Sequence, residues 1–439
     1  MRGSLLAVFS TQRHPPVSLS PRVTRQAAEG GPLHSPRRIT ALACYALSQS
    51  ALPLAQRLAD CLAVKPWGLP GQLQHPARPA QPSEHPAHGK PSGLARVEIF
   101  APSRFCPAGV TPFEKIGSLL AATYKNFAAH AFIGATGIAV RALAPLLAHK
   151  STDAPVIVLD PAGQHVISLL SGHWGGANEL ASHVAHLLGA TAVITTASDT
   201  AGPVTTGADD AQPRKAAPAL DMLLRNAGLL PVDWNRLPAA QAAMIEGESL
   251  NLWDPCHAVP DHPQLQRLPA GEADATPPEH RGPLVAAHWR ELAPSPAILR
   301  VAVPRLVIGL GCRKNAPGDM VETATRKLLA AQKFEPLAVA ALATVKEKLQ
   351  EPALLALAER MGVPLHGFEA ADLARCPTPN PSAAAGRRFS QAPFSVCEAA
   401  ALLAAAQIFP TGVPRLLLPK TIEQGQLTLA LAISDRIER

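Results

Sequence analysis

The run Val166-Ile-Ser-Leu-Leu-Ser-Gly-His173-Trp-Gly-Gly176-Ala-Asn178-Glu179-Leu sets one histidine where an apolar strand gives way to a helix. An ordinary imidazole titrates near neutral pH, so it can take or give a proton there. The glycines permit a tight bend. A helix beginning near Ala177 would aim its positive end and its first N–H groups at the same spot. A carboxylate, or the oxyanion of an acyl-transfer step, could sit there. The competing reading is a Gly-rich connector whose histidine bonds to backbone and does no chemistry. Three neighbouring stretches add hydroxyls and charge: Gly134-Ala-Thr136-Gly137-Ile-Ala-Val-Arg141, His149-Lys150-Ser-Thr-Asp153, and Ile194-Thr195-Thr196-Ala-Ser-Asp199.

Taken in order, these motifs closely resemble the cobalt-precorrin-5A hydrolase family of the anaerobic cobalamin pathway. The C-terminal part resembles that family's C-terminal domain, through Gly309-Leu-Gly311-Cys312-Arg313, Thr378-Pro-Asn380-Pro-Ser382, Ser395-Val-Cys-Glu398-Ala-Ala and Leu418-Pro-Lys420. The resemblance covers most of residues 38–434. It implies a substrate that is a cobalt-containing corrin precursor, rich in carboxylates and closed by a δ-lactone on ring A. The lactone is opened and a two-carbon fragment leaves as acetaldehyde. Cobalt is then part of the substrate, and no cofactor is expected.

Such a reaction needs a general base for water, donors for the tetrahedral oxyanion, and cations for the carboxylates. His173 is the candidate base or acid. Asn178 and the N–H groups of Gly175 and Gly176 are candidates for the cradle. Glu179 could orient His173 or act as a second base, or simply favour the helix start. Arg141 and Lys150 are the candidate carboxylate partners, with Thr136 and Gly137 as a second helix-start anion site. Thr195, Thr196 and Asp199 fall at a strand end, where α/β sheets bind ligands. Arg313, Asn380 and Lys420 could close over the macrocycle from the C-terminal domain. Cys312, beside Arg313 and just before a helix, is a candidate for a lowered thiol pKa.

Periodicity supplies the elements that would hold these residues. Strands are expected over residues 39–47, 97–100, 129–133, 156–160, 166–170 and 192–196, the fourth and fifth as a hairpin around Pro161-Ala-Gly163. Helices are expected over residues 51–63, 113–124 and 177–188. Strands alternating with helices predict a layered α/β domain. Beyond Gly202 the pattern weakens: helices over 219–226 and 238–245, an apolar run over 250–253, then an extended linker over 260–294. The tryptophans 234, 253 and 289 read as local core anchors. From Arg305 the strand–helix pattern resumes, with helices over 318–331 and 352–361 and paired strands over 416–420 and 427–433. Ser395 and Glu398 have the spacing of a capping box.

The expected class is therefore α/β: residues 38–201 an N-terminal layered domain, 202–303 an irregular middle region, 304–434 a second, smaller α/β domain. Residues 1–37 hold five arginines and a single acid, and read as a targeting peptide, a loose tail or a misassigned start. The 439 residues are 47% hydrophobic but only 4% aromatic, so Ala, Leu and Val must build the cores. No run reaches the roughly 18 apolar residues of a membrane span. The net charge of +7 is spread out, without the aromatic-laced basic stripe of a nucleic-acid groove. Seven scattered cysteines without Cys-x-x-Cys spacing suit reduced thiols in a cytoplasmic protein. His75, His85 and His88 lie in a Pro-rich loop without a metal-site spacing. A small-molecule corrinoid is the expected partner, with other pathway enzymes or a second copy left open. The alternative functions are a non-catalytic corrinoid-binding module and a nucleotide-binding α/β protein. The latter lacks both a P-loop and a full Gly-x-Gly-x-x-Gly.

Overall fold

The computed structural model describes residues 39–68, 94, 96–196, 218–269 and 277–436. Residues 1–37, Asp199 and the histidines at 75, 85 and 88 lie outside these. No helix among the described residues is long and apolar enough to cross a membrane.

The N-terminal part contains β1 (Ile39–Ala46), α1 (Leu52–Val64), β2 (Arg96–Pro102), β3 (Thr111–Phe113), α2 (Ile116–Thr123), β4 (Phe127–Ile133), α3 (Thr136–Leu143), β5 (Val156–Leu159), β6 (His165–Leu170), α4 (Ala177–Leu188) and β7 (Thr191–Val193). The strands form one seven-stranded sheet in the order β3-β2-β1-β4-β5-β6-β7. The first five run parallel, β6 pairs antiparallel with β5, and β7 follows β6. The hairpin at Pro161–Gly163 thus forms where the sequence places it. Its turn is tied by Asp160, whose carboxylate accepts from the N–H groups of Ala162 (2.9 Å) and His165 (2.6 Å).

Both faces of this sheet are covered, so its central strands read as near-continuous apolar runs. On one face Leu54, Leu58 and Leu62 of α1 pack with Leu180 and Val184 of α4. On the other, Tyr45 meets Phe100 and Phe132, and its hydroxyl bonds to Nδ1 of buried His130 at 3.0 Å. Alanines fill the gaps between these few large residues.

The middle region is not irregular. It holds α5 (Leu220–Asn226), β8 (Leu230–Pro231), α6 (Leu237–Ile245), β9 (Leu250–Trp253), β10 (Leu265–Arg267), β11 (Leu284–His288) and β12 (Ile298–Ala302). These strands build a five-stranded sheet in the order β10-β9-β11-β12-β8. The expected linker over 260–294 therefore contains two strands, and β11 is buried at every position. Short strands among many prolines gave no period long enough to read. Arg300 holds the region's start to its end, gripping the Asp233 carboxylate through Nε (2.8 Å) and Nη2 (2.7 Å). Trp253 and Trp289 are core residues, as expected.

The C-terminal part runs β13 (Leu306–Cys312), α7 (Gly318–Ala331), β14 (Val339–Val345), α8 (Pro352–Met361), β15 (Leu365–Phe368), α9 (Ala370–Arg375), α10 (Ala383–Phe389), α11 (Val396–Ile408), β16 (Gly412–Glu423) and β17 (Leu427–Arg436). Its sheet order is β15-β14-β13-β17-β16. Alanine-rich α11 lies so close to β13 that a Cβ on Gly309 would overlap the Cys397 carbonyl. One face of this sheet shares a continuous core with the middle sheet, from Leu220 through Leu299 to Ile433.

Candidate active site

β6 ends at Leu170, and Ser171 enters the left-handed region with φ 56°. The chain then coils through Gly172–Gly176 into α4. Gly176 has φ 85°, a conformation that costs a side chain energy, and a Cβ on Gly175 would press into Ser171. Within the turn the N–H of Gly176 donates to the His173 carbonyl, that of Ala177 to Ser171, and that of Asn178 to Gly172, each at 3.1 Å. The Gly176 N–H proposed for an oxyanion is thus spent in holding the turn, as is the Asn178 N–H. The Gly175 N–H is not among those bonds.

His173 does have a carboxylate partner, but it is not Glu179. Its Nδ1 lies 3.1 Å from Oδ2 of Asp221 at the start of α5, with both side chains nearly buried at 12% and 10% exposure. Burial works to raise the Asp221 carboxyl. The hydrogen bond and charge of His173, with bonds from Gln241 and the Met222 N–H, outweigh it and hold the group below the ordinary carboxylate value. Glu179 faces Arg225 one turn further along α5, which grips both its oxygens at 2.5 and 2.6 Å. The same guanidinium bonds to the His173 carbonyl. Sequence reasoning missed Asp221 and Arg225. Their signal was present as two opposite charges four apart on a short helix, Leu220-Asp-Met-Leu-Leu-Arg-Asn.

Asn178 is a scaffold residue. Its Oδ1 accepts from the Ser168 hydroxyl at 2.6 Å and its Nδ2 donates to Thr196 Oγ1 at 2.9 Å. Because β7 runs alongside β6, Thr195 and Thr196 reach the same rim of the sheet as His173.

That rim is also where β5 begins. The loop before β5 supplies His149 and Lys150, and the Ser171 hydroxyl donates to the Asp153 carbonyl at 3.0 Å. The Lys150 ammonium stands 6.0 Å from the Trp234 ring centre. Trp174 meets Trp234 edge-to-face at 4.7 Å, and His149 meets it edge-on at 5.8 Å. Trp234 is therefore a half-buried part of this rim, beyond the core-anchor role read from its sequence.

Thr136, Gly137 and Arg141 do not join this group. They follow the C-terminal end of β4, whose Ile133 pairs with Leu159, whereas Leu170 pairs with Val156 at the other end of β5. The reversal of β6 puts the two motifs on opposite rims. Arg141 folds back on its own helix, bonding to the Gly137 carbonyl at 3.1 Å.

In the C-terminal part Asn380 and Lys420 come together around buried Glu398. The Glu398 carboxylate accepts from Asn380 Nδ2 (2.8 Å), the Asn380 N–H (3.1 Å) and the Lys420 N–H (2.8 Å), while Lys420 Nζ donates to the Asn380 carbonyl at 2.6 Å. Glu398 is thus a hub and not a capping-box partner, and Ser395 makes no side-chain cap. Arg313 and Lys420 both line one cavity. Burial raises the Cys312 thiol above its ordinary value, opposite to the lowering for which its place beside Arg313 made it a candidate.

Two family models match the chain: "Cobalamin synthesis G N-terminal" over residues 118–199 and "Cobalamin synthesis G C-terminus" over residues 306–432. The chain is 33% identical to the cobalt-precorrin-5A hydrolase of Salmonella typhimurium, over 64% of its own length and 77% of that protein's. It belongs to the cobalt-precorrin-5A hydrolase family. Another relative of that name, from Priestia megaterium, is 32% identical over 56% of this chain and 64% of its own length. A cobalamin biosynthesis protein G homolog from Sulfolobus solfataricus aligns over 90% of this chain and 98% of its own, at 15% identity and a TM-score of 0.34. The N-terminal family match spans the turn, His173 and Asn178, and ends at Asp199. Asp221 and Arg225 fall between the two matches.

Proposed function

We propose that this protein is a cobalt-precorrin-5A hydrolase that opens the ring A δ-lactone of the corrin precursor and releases acetaldehyde. The observation that carries the reading is the His173–Asp221 pair, at 3.1 Å, on the turn that the family's N-terminal model covers. With Nδ1–H donated to Asp221, a neutral imidazole carries its lone pair on Nε2, where it can take a proton from water. As the water attacks, imidazolium forms against a carboxylate already ionised and in place. The Gly175 N–H and the positive end of α4 are suited to the oxyanion on the lactone carbon. The same imidazole can then relay a proton when the two-carbon fragment departs.

The rim also suits the body of such a substrate. The Trp174–Trp234 pair offers aromatic surface to a macrocycle, and Lys150 stands beside it as a cation for a peripheral carboxylate. Thr195 and Thr196 add hydroxyls on the same rim. In this reading the cobalt arrives with the substrate, and the protein needs no cofactor of its own.

Incubating the purified protein with the lactone form of the cobalt corrinoid and assaying acetaldehyde tests the assignment directly. Turnover should appear and His173→Ala should abolish it. A His173→Ala protein that works at the native rate with unaltered KM would sink the reading.

A further inference from the structure

His149 and His173 stand on the same rim of the first sheet, and their hydrogen bonds set the two rings in opposite tautomers. Nδ1 of His173 faces the Asp221 carboxylate, which as an ion can only accept. In the neutral ring that nitrogen therefore carries the proton and Nε2 the lone pair. Nδ1 of His149 faces the Ser151 backbone N–H at 3.2 Å, which can only donate. The Ser151 hydroxyl reaches the same nitrogen at 2.7 Å. In the neutral His149 ring the lone pair is thus on Nδ1 and the proton on Nε2. That N–H has no hydrogen-bond partner among the described residues, and the side chain is exposed.

Short links fix His149 to the His173 turn. The His149 carbonyl accepts from the N–H groups of Thr152 (2.9 Å) and Asp153 (2.8 Å), and the Asp153 carboxylate closes the loop by accepting from the Ala148 N–H at 3.1 Å. The Asp153 carbonyl in turn accepts from the hydroxyl of Ser171, which begins the turn. The His149 ring stands edge-on to Trp234, and Trp234 meets Trp174, the residue directly after His173.

When water adds to a lactone carbonyl, the new C–O bond forms, the carbonyl π pair moves onto oxygen, and a water proton passes to His173 Nε2. The negative oxygen then needs donors. Within the turn the N–H groups of Gly176 and Asn178 are already bonded to its own backbone, which leaves that of Gly175. We propose that His149 is a catalytic residue that supplies the missing donor, its Nε2–H bonding to the oxyanion while the ring stays neutral. No proton changes hands at His149, so one imidazole takes the proton and the other only polarises the carbonyl. A neutral imidazole suits that task because it donates a hydrogen bond without giving its proton away. This role rests on the hydrolase reading of the His173 turn and adds a second histidine to it.

Nitrogen-15 NMR of the full chain at about pH 8, above the ordinary imidazole range, tests the tautomer without any substrate. The His149 signals, identified by their loss in His149→Phe, should be those of the Nε2–H form, and the Nδ1–H form would overturn the proposal. In the acetaldehyde assay with the lactone form of the cobalt corrinoid, His149→Phe keeps a flat ring beside Trp234 but loses the donor. Its kcat should fall about a hundredfold with KM within about twofold of the native value. His149→Gln restores an N–H and should recover at least about tenfold of that loss. The ring is exposed, so both variants should melt at the native temperature. A native kcat in His149→Phe, a loss carried wholly by KM, or a His149→Gln no better than His149→Phe would each remove His149 from the oxyanion while leaving the hydrolase reading intact. A wild type that releases no acetaldehyde would sink that reading, and the role of His149 with it.

Discussion

The imidazole of His173 and the carboxylate of Asp221 meet at 3.1 Å although 48 positions separate them in the chain. One comes from a turn at the end of a strand in the first sheet. The other comes from the first turn of a helix that belongs to the middle region. The candidate catalytic turn is therefore completed by a segment outside the part matched by the N-terminal family model, and Arg225 reinforces the junction from the same helix.

Replacing Asp221 with Asn should preserve shape while removing the charge that fixes the ring's tautomer. Partners of this kind, once lost, cost between about 10-fold and 10⁴-fold in turnover. We expect kcat for acetaldehyde release to fall by at least about a hundredfold with KM little changed. A parallel rise in KM with kcat intact would mean that Asp221 serves binding instead.

Arg225→Lys should loosen the turn, because an ammonium cannot grip both Glu179 oxygens and the His173 carbonyl together. Glu179 is 41% exposed, so solvent screens part of that pair. A loss of roughly 1–2 kcal/mol in the free energy of unfolding is expected. Urea titration of the purified variant measures it.

The two rims of the first sheet can be separated by kinetics. Lys150→Met should raise KM and flatten its dependence on salt, since the ammonium stands on the His173 rim. Arg141→Met, on the opposite rim, should leave both unchanged. If Arg141→Met alone weakened substrate binding, the assignment of the binding rim would be reversed.

Acid stability should depend on Glu398. Burial tends to raise its carboxyl, but bonds from Asn380 and the Lys420 N–H hold it below the ordinary glutamate value. A carboxyl depressed on folding contributes stability above its unfolded pKa, about 4.3, and loses it as pH falls through the folded one. The wild type should therefore lose stability with falling pH below about 4.3, and Glu398→Gln should show a shallower acid limb from a lower plateau. Unfolding midpoints taken between neutral pH and pH 3 would show it.

Gly309→Ala and Gly318→Ala form a matched pair. The first forces a methyl into the Cys397 carbonyl, and the second meets nothing within 4 Å at the start of α7. Gly309→Ala should cost more than about 4 kcal/mol or prevent soluble expression. Gly318→Ala should be neutral or stabilising by up to about 1 kcal/mol. Thermal melts distinguish them.

What the sequence disclosed follows from the range of the forces involved. Helix α4 appears at Ala177–Leu188, where its apolar stripe and flanking glycines place it, and the Pro161–Gly163 hairpin is equally local. Local periodicity cannot indicate the company a residue keeps across the fold. Hence Glu179 was offered His173 as a neighbour when it faces Arg225, and Asp221 drew no notice. Thr136 and Arg141 were grouped with His173 because a reversed strand leaves no mark on the motifs beside it. The middle sheet was hidden for a different reason. Strands of two to five residues, such as β8 and β10, are too short to establish a period.

The antiparallel return of β6 has an evolutionary corollary. A wholly parallel arrangement would crowd every loop of one type along a single border. Here β6 travels home, so a substitution within 134–141 falls at one address and a substitution within 149–153 or 171–174 at another, and selection could tune either border while leaving the other as it was.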